Sequence, residues 1–256
     1  MKSSFLTGDW ALITGASRGL GRDFAFLFAR DGFNLVLVAR SRVDLEAVSS
    51  EISEKYKVRI IVILKDLSLR SAPKQVFDEL QKRSIKIDIL VNNAGFGTYG
   101  FFSKSDMKEE VDMIEVNVVA LTQLTRLFLP GMISRCKGKI VNVASTAAFQ
   151  PGPLMAVYCA TKAGLHSFTQ SLRHQLKDTS IKVFEIAPPL VDTDFDKASQ
   201  EKRQMKGIPA SQCAQEAIAG IEKDELEIAV GDAAKLRSNA ITNFNTVFNM
   251  LNRQWE

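Results

Sequence analysis

The sequence predicts a doubly wound α/β fold, in which a parallel sheet lies between two layers of helices. Three observations carry this. Short apolar runs alternate with longer amphipathic stretches along most of the chain. The runs are almost continuously hydrophobic, as expected of strands covered on both faces. A glycine-rich turn follows the first run directly and opens a helix-forming segment. No linker, repeat or low-complexity tract divides the chain, so residues 1–256 are expected to form a single three-layer α/β/α domain.

Ala11 to Thr14 reads as the first strand, and Gly19 to Asp31 as a helix with Phe24, Leu27 and Phe28 on one face. Leu35 to Ala39 is a second buried strand, Asp44 to Lys57 a helix, and Val58 to Leu64 a third strand. Ser71 to Arg83 is a helix with Pro73 in its first turn, where a missing N–H costs least. Ile87 to Val91 is the fourth strand. Asp106 to Arg135 is helical, with an irregularity or break expected within it. Lys139 to Ala144 is the fifth strand, Pro153 to Lys177 a long helix and Ile181 to Ala187 the sixth strand. Then the pattern changes. Pro188 to Pro209 is polar and turn-rich, and a helix near Ser211 to Glu222 and a short strand near Glu227 to Val230 follow. Asp232 to Glu256 reads as a terminal helix with Leu236, Ile241, Phe244, Val247, Phe248 and Leu251 as apolar positions. A long irregular segment inside a compact domain is often a lid.

Composition narrows the function. With 46% hydrophobic and 24% charged residues, a chain of this length buries a core that needs neither disulfides nor metal. The net charge of +4 comes from dispersed residues without a basic run, which argues against a nucleic-acid partner. Cys136, Cys159 and Cys213 are odd in number and widely spaced, so they read as reduced thiols of a cytoplasmic protein. His166 and His174 are too few for a histidine-rich metal site, and no metal is expected. Met1 to Trp10 lacks an apolar signal-peptide core. No apolar run approaches the roughly 18 to 20 residues of a membrane span, so no membrane is expected either.

The turn after the first strand reads Thr14-Gly15-Ala16-Ser17-Arg18-Gly19-Leu20-Gly21. A strand before it and a helix after it are the context a dinucleotide site requires, which makes the fold Rossmann-type. Gly15 allows the sharp exit from the strand, Gly19 the approach of a pyrophosphate, and Gly21 close helix packing. The helix N-terminus offers unpaired N–H groups to phosphate. The second strand ends in Arg40, with Arg42 beyond it, where a site for NAD usually has an acidic residue. Arg18 and Arg40 together suit a 2′-phosphate, which points to NADP(H) over NAD(H). The alternative is that Arg40 and Arg42 are solvated loop residues.

Tyr158 and Lys162 are four apart on the long helix and share one face. A free tyrosine ionises only near pH 10 or so, and a lysine ammonium beside it favours the phenolate. Ser145 follows the fifth strand, at the carboxyl end of the sheet, where it would hydrogen-bond a carbonyl oxygen as negative charge develops. The expected proton donor or acceptor is Tyr158.

These residues, with Asn92-Asn93-Ala94-Gly95, Asn117 and Tyr158-Cys159-Ala160-Thr161-Lys162, together resemble the classical short-chain dehydrogenase/reductase family in order and spacing from about Trp10 to Thr193. The resemblance implies an oxidoreductase that interconverts a small-molecule carbonyl and an alcohol by hydride transfer, with Tyr158 as acid/base. It implies that Lys162 also binds the nicotinamide ribose, that Ser145 orients the substrate oxygen, and that Asn117 breaks its helix to support a water-linked relay. Asp66-Leu67 would contact adenine, Asn93, Ala94 and Gly95 would line the cofactor cleft, and Pro188, Val191 and Thr193 would hold the nicotinamide carboxamide. Residues 188–222 would be the substrate-binding loop and helix. A homodimer or homotetramer is expected, packed through the helices at 106–135 and 153–177. One departure is Pro188-Pro189, where the family commonly has Pro-Gly. Proline fixes φ and removes a donor, which puts the nicotinamide contacts in question.

Other residues stay open. Phe96, Tyr99, Phe101 and Phe102 form either an apolar substrate wall or a core or subunit contact. Leu154 and Met155 would border the substrate, and the segment from Phe195 to Ile208 would close over it. Lys197, Lys202, Arg203 and Lys206 either attract an anion or form a solvated face. Cys159, His166 and His174 read as packing or surface residues. The competing functions are an NADP(H)-sensing regulator with a vestigial site, and an epimerase or dehydratase that reuses its cofactor.

Overall fold

The computed structural model describes residues 9–193, 195 and 207–233. Strands β1 (Trp10–Thr14), β2 (Asn34–Ala39), β3 (Ile60–Leu64), β4 (Ile89–Asn92), β5 (Gly138–Val143) and β6 (Ile181–Ala187) form one parallel sheet. Two short strands, β7 (Val191–Asp192) and β8 (Ile208–Pro209), pair beside it, and β9 (Glu227–Ala229) completes it. The order of the seven-stranded sheet is β3-β2-β1-β4-β5-β6-β9. The strand order reverses between β1 and β4, where open α/β sheets bind ligands at their carboxyl ends.

Alternate residues of each strand feed two cores, because successive side chains leave a strand on opposite faces. Ala11, Ile13, Leu35, Leu37, Phe184 and Ile186 pack against helices α1 (Gly19–Arg30) and α2 (Arg42–Lys55) and against the last described helix, at Ala210–Glu222. Leu12, Val36, Val38, Ile140 and Val183 face the opposite layer, built from α3 (Ala72–Lys82), α5 (Leu121–Ser134) and α6 (Ala156–Gln175). With α4 (Met107–Ile114) before α5, the helix at Ala210–Glu222 becomes α7. The strands are mostly hydrophobic because both faces are covered. The expected single three-layer α/β/α domain, a Rossmann-type doubly wound sheet, is the fold observed.

Several boundaries differ, each for a local reason. Helix α2 begins at Arg42 and not Asp44, because Ser41 caps it by accepting the Asp44 N–H at 3.4 Å. Strand β3 begins at Ile60, since the Arg59 N–H is taken by the Asn34 side chain at 3.0 Å. Helix α6 begins at Ala156. Leu154 before it sits at φ 62°, and its carbonyl accepts the Gly100 N–H at 2.9 Å. The irregularity expected within 106–135 is a π-turn over Glu115–Ala120 that joins α4 to α5. The pair β7 and β8 was not foreseen, because two-residue strands carry no periodicity. The expected terminal helix beyond Asp232 falls almost wholly outside the described residues, as do Lys197, Lys202, Arg203 and Lys206.

One expectation is corrected. The continuous 28-residue helix Met107–Ser134 contains an 18-residue window of mean hydropathy 1.3, enough by length and composition alone to cross a membrane. Within it Leu124, Phe128 and Met132 are buried in the core against the sheet, whereas Met107, Val111, Ile114 and Ile133 are exposed.

A buried polar chain ties the α5–α6 layer to the sheet. Asn92 donates to Thr125 at 3.1 Å and to Asn142 at 2.9 Å, and Asn142 donates to Thr169 at 2.9 Å. Asn142 is fully buried with both ends of its amide engaged. Asn142→Ala would lose both bonds and leave a small cavity, so urea unfolding should show a stability loss of about 2–4 kcal/mol.

Candidate active site

Six parallel strands end on one edge, and every site residue expected from the motifs follows a strand end or faces that edge. The glycine turn follows β1, Arg40 follows β2 and Asp66 follows β3. Asn93 to Gly95 follow β4, Ser145 follows β5 and Pro188 follows β6.

Thr14 joins the two halves at the switch point. Its hydroxyl donates to the Val91 carbonyl at 3.2 Å and accepts the N–H groups of Asn93 and Ala94 at 3.0 and 2.9 Å. The Asn93 amide donates back to the Thr14 carbonyl at 2.8 Å. A Cβ on Gly21 would lie 2.3 Å from the Gly15 carbonyl oxygen and 2.5 Å from the Asn93 amide nitrogen, so only glycine fits. Gly19 has φ 52°, and a Cβ there would lie 3.1 Å from the Thr193 methyl. Thr193 thus reaches the glycine turn despite Pro188-Pro189. The Pro188 carbonyl accepts the Thr146 N–H at 3.0 Å, which ties this segment to Ser145. Val191 is held in β7.

The glycine turn fits a dinucleotide phosphate. Helix α1 has no side-chain cap at Arg18 and no acidic residue in its first turn, where Gly19, Leu20 and Gly21 lie. Uncapped N–H groups and the positive end of the helix dipole suit an anion. Ser17 is half-buried beside this end. Asp66 accepts from the Ser68 N–H and hydroxyl at 3.0 and 2.9 Å, and Leu67 is buried against Ala72.

The guanidinium groups are less free than expected. Arg18 is ion-paired with Asp44 at 3.1 Å, both side chains exposed. Arg42 lies inside α2 and pairs with Glu46 at 3.1 Å, so it is neither a loop residue nor turned to the turn. Arg40 is exposed and has no ion pair among the described residues.

The second cluster forms around the π-turn. Its Asn117 accepts the Phe96 N–H at 3.1 Å and donates to the Phe96 carbonyl at 3.0 Å and to Thr161 at 3.1 Å. It therefore clamps the strip after Asn93 onto α6. A Cβ on Gly95 would lie 2.9 Å from the Asn117 side-chain oxygen and 3.6 Å from Lys162 Nζ, and one on Gly97 would lie 3.0 Å from the Tyr158 ring. Lys162 Nζ donates to the Val143 carbonyl at 2.8 Å and lies 5.8 Å from the centre of the Tyr158 ring. Burial pulls the Lys162 ammonium down to about 8, and the charge of Glu185 opposes this. Ser145 Oγ accepts the Ala147 N–H at 3.2 Å, which leaves its own O–H to donate. The Phe195 ring meets Tyr158 edge-on at 5.7 Å.

The aromatic group after β4 divides. Phe96 packs with Leu67, Ala72, Val116 and Ala120, whereas Phe101 and Phe102 are exposed. Three features escaped the sequence reading. Thr14 and Gly97 lay inside or beside motifs without a role of their own. His166, read as packing or surface, contacts the buried carboxylate of Glu185 in β6 at 2.8 Å. A charged residue in an apolar strand run was the available signal.

Fold and site together define a dinucleotide-binding α/β protein with a Tyr–Lys pair at the switch edge. The sequence matches the family model for short chain dehydrogenases over residues 9–204, and the chain belongs to that family of oxidoreductases, which use a nicotinamide dinucleotide. It is similar to an uncharacterised oxidoreductase, DltE, of Bacillus subtilis (strain 168), 32% identical over 97% of this chain and 98% of that protein. It is 35% identical to a very-long-chain 3-oxoacyl-CoA reductase of Anas platyrhynchos over 75% of this chain, and spans 63% of that protein's length. Among solved structures it resembles a short-chain dehydrogenase from Sphingobium yanoikuyae in complex with NADPH, with TM-score 0.83, 28% identity and coverage of 93% and 95% of the two chains.

Lys162 is destabilising where it stands. Its folded value lies below that of the free side chain, so the unfolded chain binds more protons between pH 8 and 10.5 and stability rises with pH across that window. Lys162→Met should raise stability at neutral pH by about 1–3 kcal/mol, and the gain should shrink towards pH 10 or so, as read by thermal unfolding at both.

Proposed function

We propose that this chain is an NADP(H)-dependent carbonyl reductase, reversible as an alcohol dehydrogenase, with Tyr158 as its general acid and base. The observation that carries the reading is the buried Lys162 ammonium beside the Tyr158 ring, at the edge where Asn117 clamps the strip after β4. When bound, the nicotinamide supplies or accepts the hydride. Tyr158 holds the proton at its hydroxyl and gives it to the carbonyl oxygen in the reductive direction. Lys162 favours the phenolate left behind and binds the cofactor ribose. Ser145 donates its hydroxyl proton to the same oxygen as charge develops. Asn117 supports a water-linked route by which Lys162 recovers its proton.

The glycine turn, with Asn93 to Gly95, Pro188, Val191 and Thr193, would hold the dinucleotide, and Asp66 and Leu67 the adenine. Arg18 and Arg40 support NADP(H), since Arg18 can share its five donors between Asp44 and a 2′-phosphate. The segment within 188–222 would bound the substrate. The similarity to 3-oxoacyl-CoA reductases makes a 3-oxoacyl thioester a rational first substrate for a carbonyl panel.

Tyr158→Phe should bind NADPH nearly as the parent does, by fluorescence titration, while kcat falls about 10²–10⁴-fold. Full turnover in that variant would overturn the mechanism. Replacing Arg18 and Arg40 by alanine should weaken NADPH about tenfold or more and NADH little, because each charge-assisted bond contributes about 1.5–3 kcal/mol.

A further inference from the structure

Strand β6 buries a carboxylate among apolar neighbours. Val183 belongs to the core on the α6 side, so Glu185, two residues on, points into the same layer. Its side chain is 2% exposed. His166 Nδ1 lies 2.8 and 3.0 Å from its two oxygens. The other ring nitrogen of His166 meets the Gln170 amide nitrogen at 3.0 Å. An amide nitrogen can only donate, so Nε2 is the acceptor and Nδ1 carries the hydrogen given to Glu185.

Lys162 lies one helical turn before His166 on the same face of α6. It is bonded to the carbonyl of Val143, whose register partner in β6 is Ile186, next to Glu185. A cavity of only about 10 Å³ adjoins Glu185, walled by Phe149, Ala187, Glu227, Ile228 and Ala229. Burial raises the Glu185 carboxyl above its ordinary value, His166 opposes this, Glu227 adds to it and Arg173 opposes it. The charged groups about Glu185 are thus His166 and Arg173 from α6 and Glu227 from β9, and its own charge reaches Lys162, one turn before His166.

We propose that Glu185, held ionised by the His166 N–H, is a positioning residue for catalysis: its buried negative charge keeps Lys162 protonated where the lysine binds the cofactor ribose. This rests on the reading of Lys162 given above. Desolvation alone drives a buried lysine towards its neutral form, which can neither favour the phenolate nor bind the ribose as a cation. Glu185 is the carboxylate whose field opposes that in this chain. A neutral glutamate would not, and the His166 hydrogen bond, with the charge of Arg173, opposes proton uptake by Glu185 at this buried position.

The test is the pH dependence of NADPH binding to the full chain, followed by fluorescence from about pH 6 to 10, with melting curves for each variant. Affinity in the parent should fall as pH rises through about 8. Glu185→Gln, melting cooperatively, should move that midpoint down by about one unit, and Glu185→Asp should restore most of it. With Lys162→Arg as background the charge is fixed, and Glu185→Gln should leave the profile unmoved. An unmoved midpoint in folded Glu185→Gln overturns the inference, and so does the same shift in the arginine background, which a merely structural role would produce. If the binding shift is present but the parent reduces no carbonyl, the reductase reading fails and the role of Glu185 stands. An active enzyme with an unmoved midpoint gives the reverse.

Discussion

The hydroxyl of Thr14 is the point on which the site depends. It uses its donor on Val91 and its acceptor capacity on the N–H groups of Asn93 and Ala94. These bonds close the sheet where the strand order reverses. They also fix the direction of the strip after β4, which passes under Asn117 and against Lys162 and Tyr158. The Asn93 amide returns to the carbonyl of Thr14, close to the place where Gly21 packs on Gly15. One residue therefore holds the glycine turn and the strip after β4 in a common frame.

Lys162 shows what the site costs the fold. The buried Lys162 ammonium donates to one backbone carbonyl and lies 5.8 Å from the centre of the Tyr158 ring. An apolar side chain of similar size would pack there with less penalty. The fold tolerates the lysine because the rest of the sheet is covered on both faces by two continuous cores. Polar groups gather at the carboxyl edge, the π-turn and the chain from Asn92 to Thr169. The π-turn matters here because it displaces Asn117 from regular helix geometry and lets its amide bind Phe96 backbone groups and Thr161 at once.

Much of this was legible in the sequence. In a parallel sheet all carboxyl ends lie on one edge, so locating the strands located Gly15, Arg40, Asp66, Asn93, Ser145 and Pro188 there as well. The helix period placed Tyr158 and Lys162 on one face. What was hidden involved partners far apart in the chain. The bonds of Thr14 reach residues 79 and 80 positions away, the Arg18–Asp44 pair spans 26, and His166 and Glu185 are 19 apart on different elements. Pattern reading assigns each such residue to its own element and sees a turn arginine, a surface histidine and one polar break in a strand.

The sequence by itself determined the layers and the strand-end motifs, because hydrophobic period and turn composition are local properties. Only the tertiary structure decided which charges are free and which are engaged. It paired Arg18 with Asp44, left Arg40 exposed, buried Lys162 and set Glu185 and His166 behind it on neighbouring elements. The physical reason is that the strength of a charge depends on its distance to other charges and on the solvent it keeps, and both are fixed only when β6 and α6 pack together.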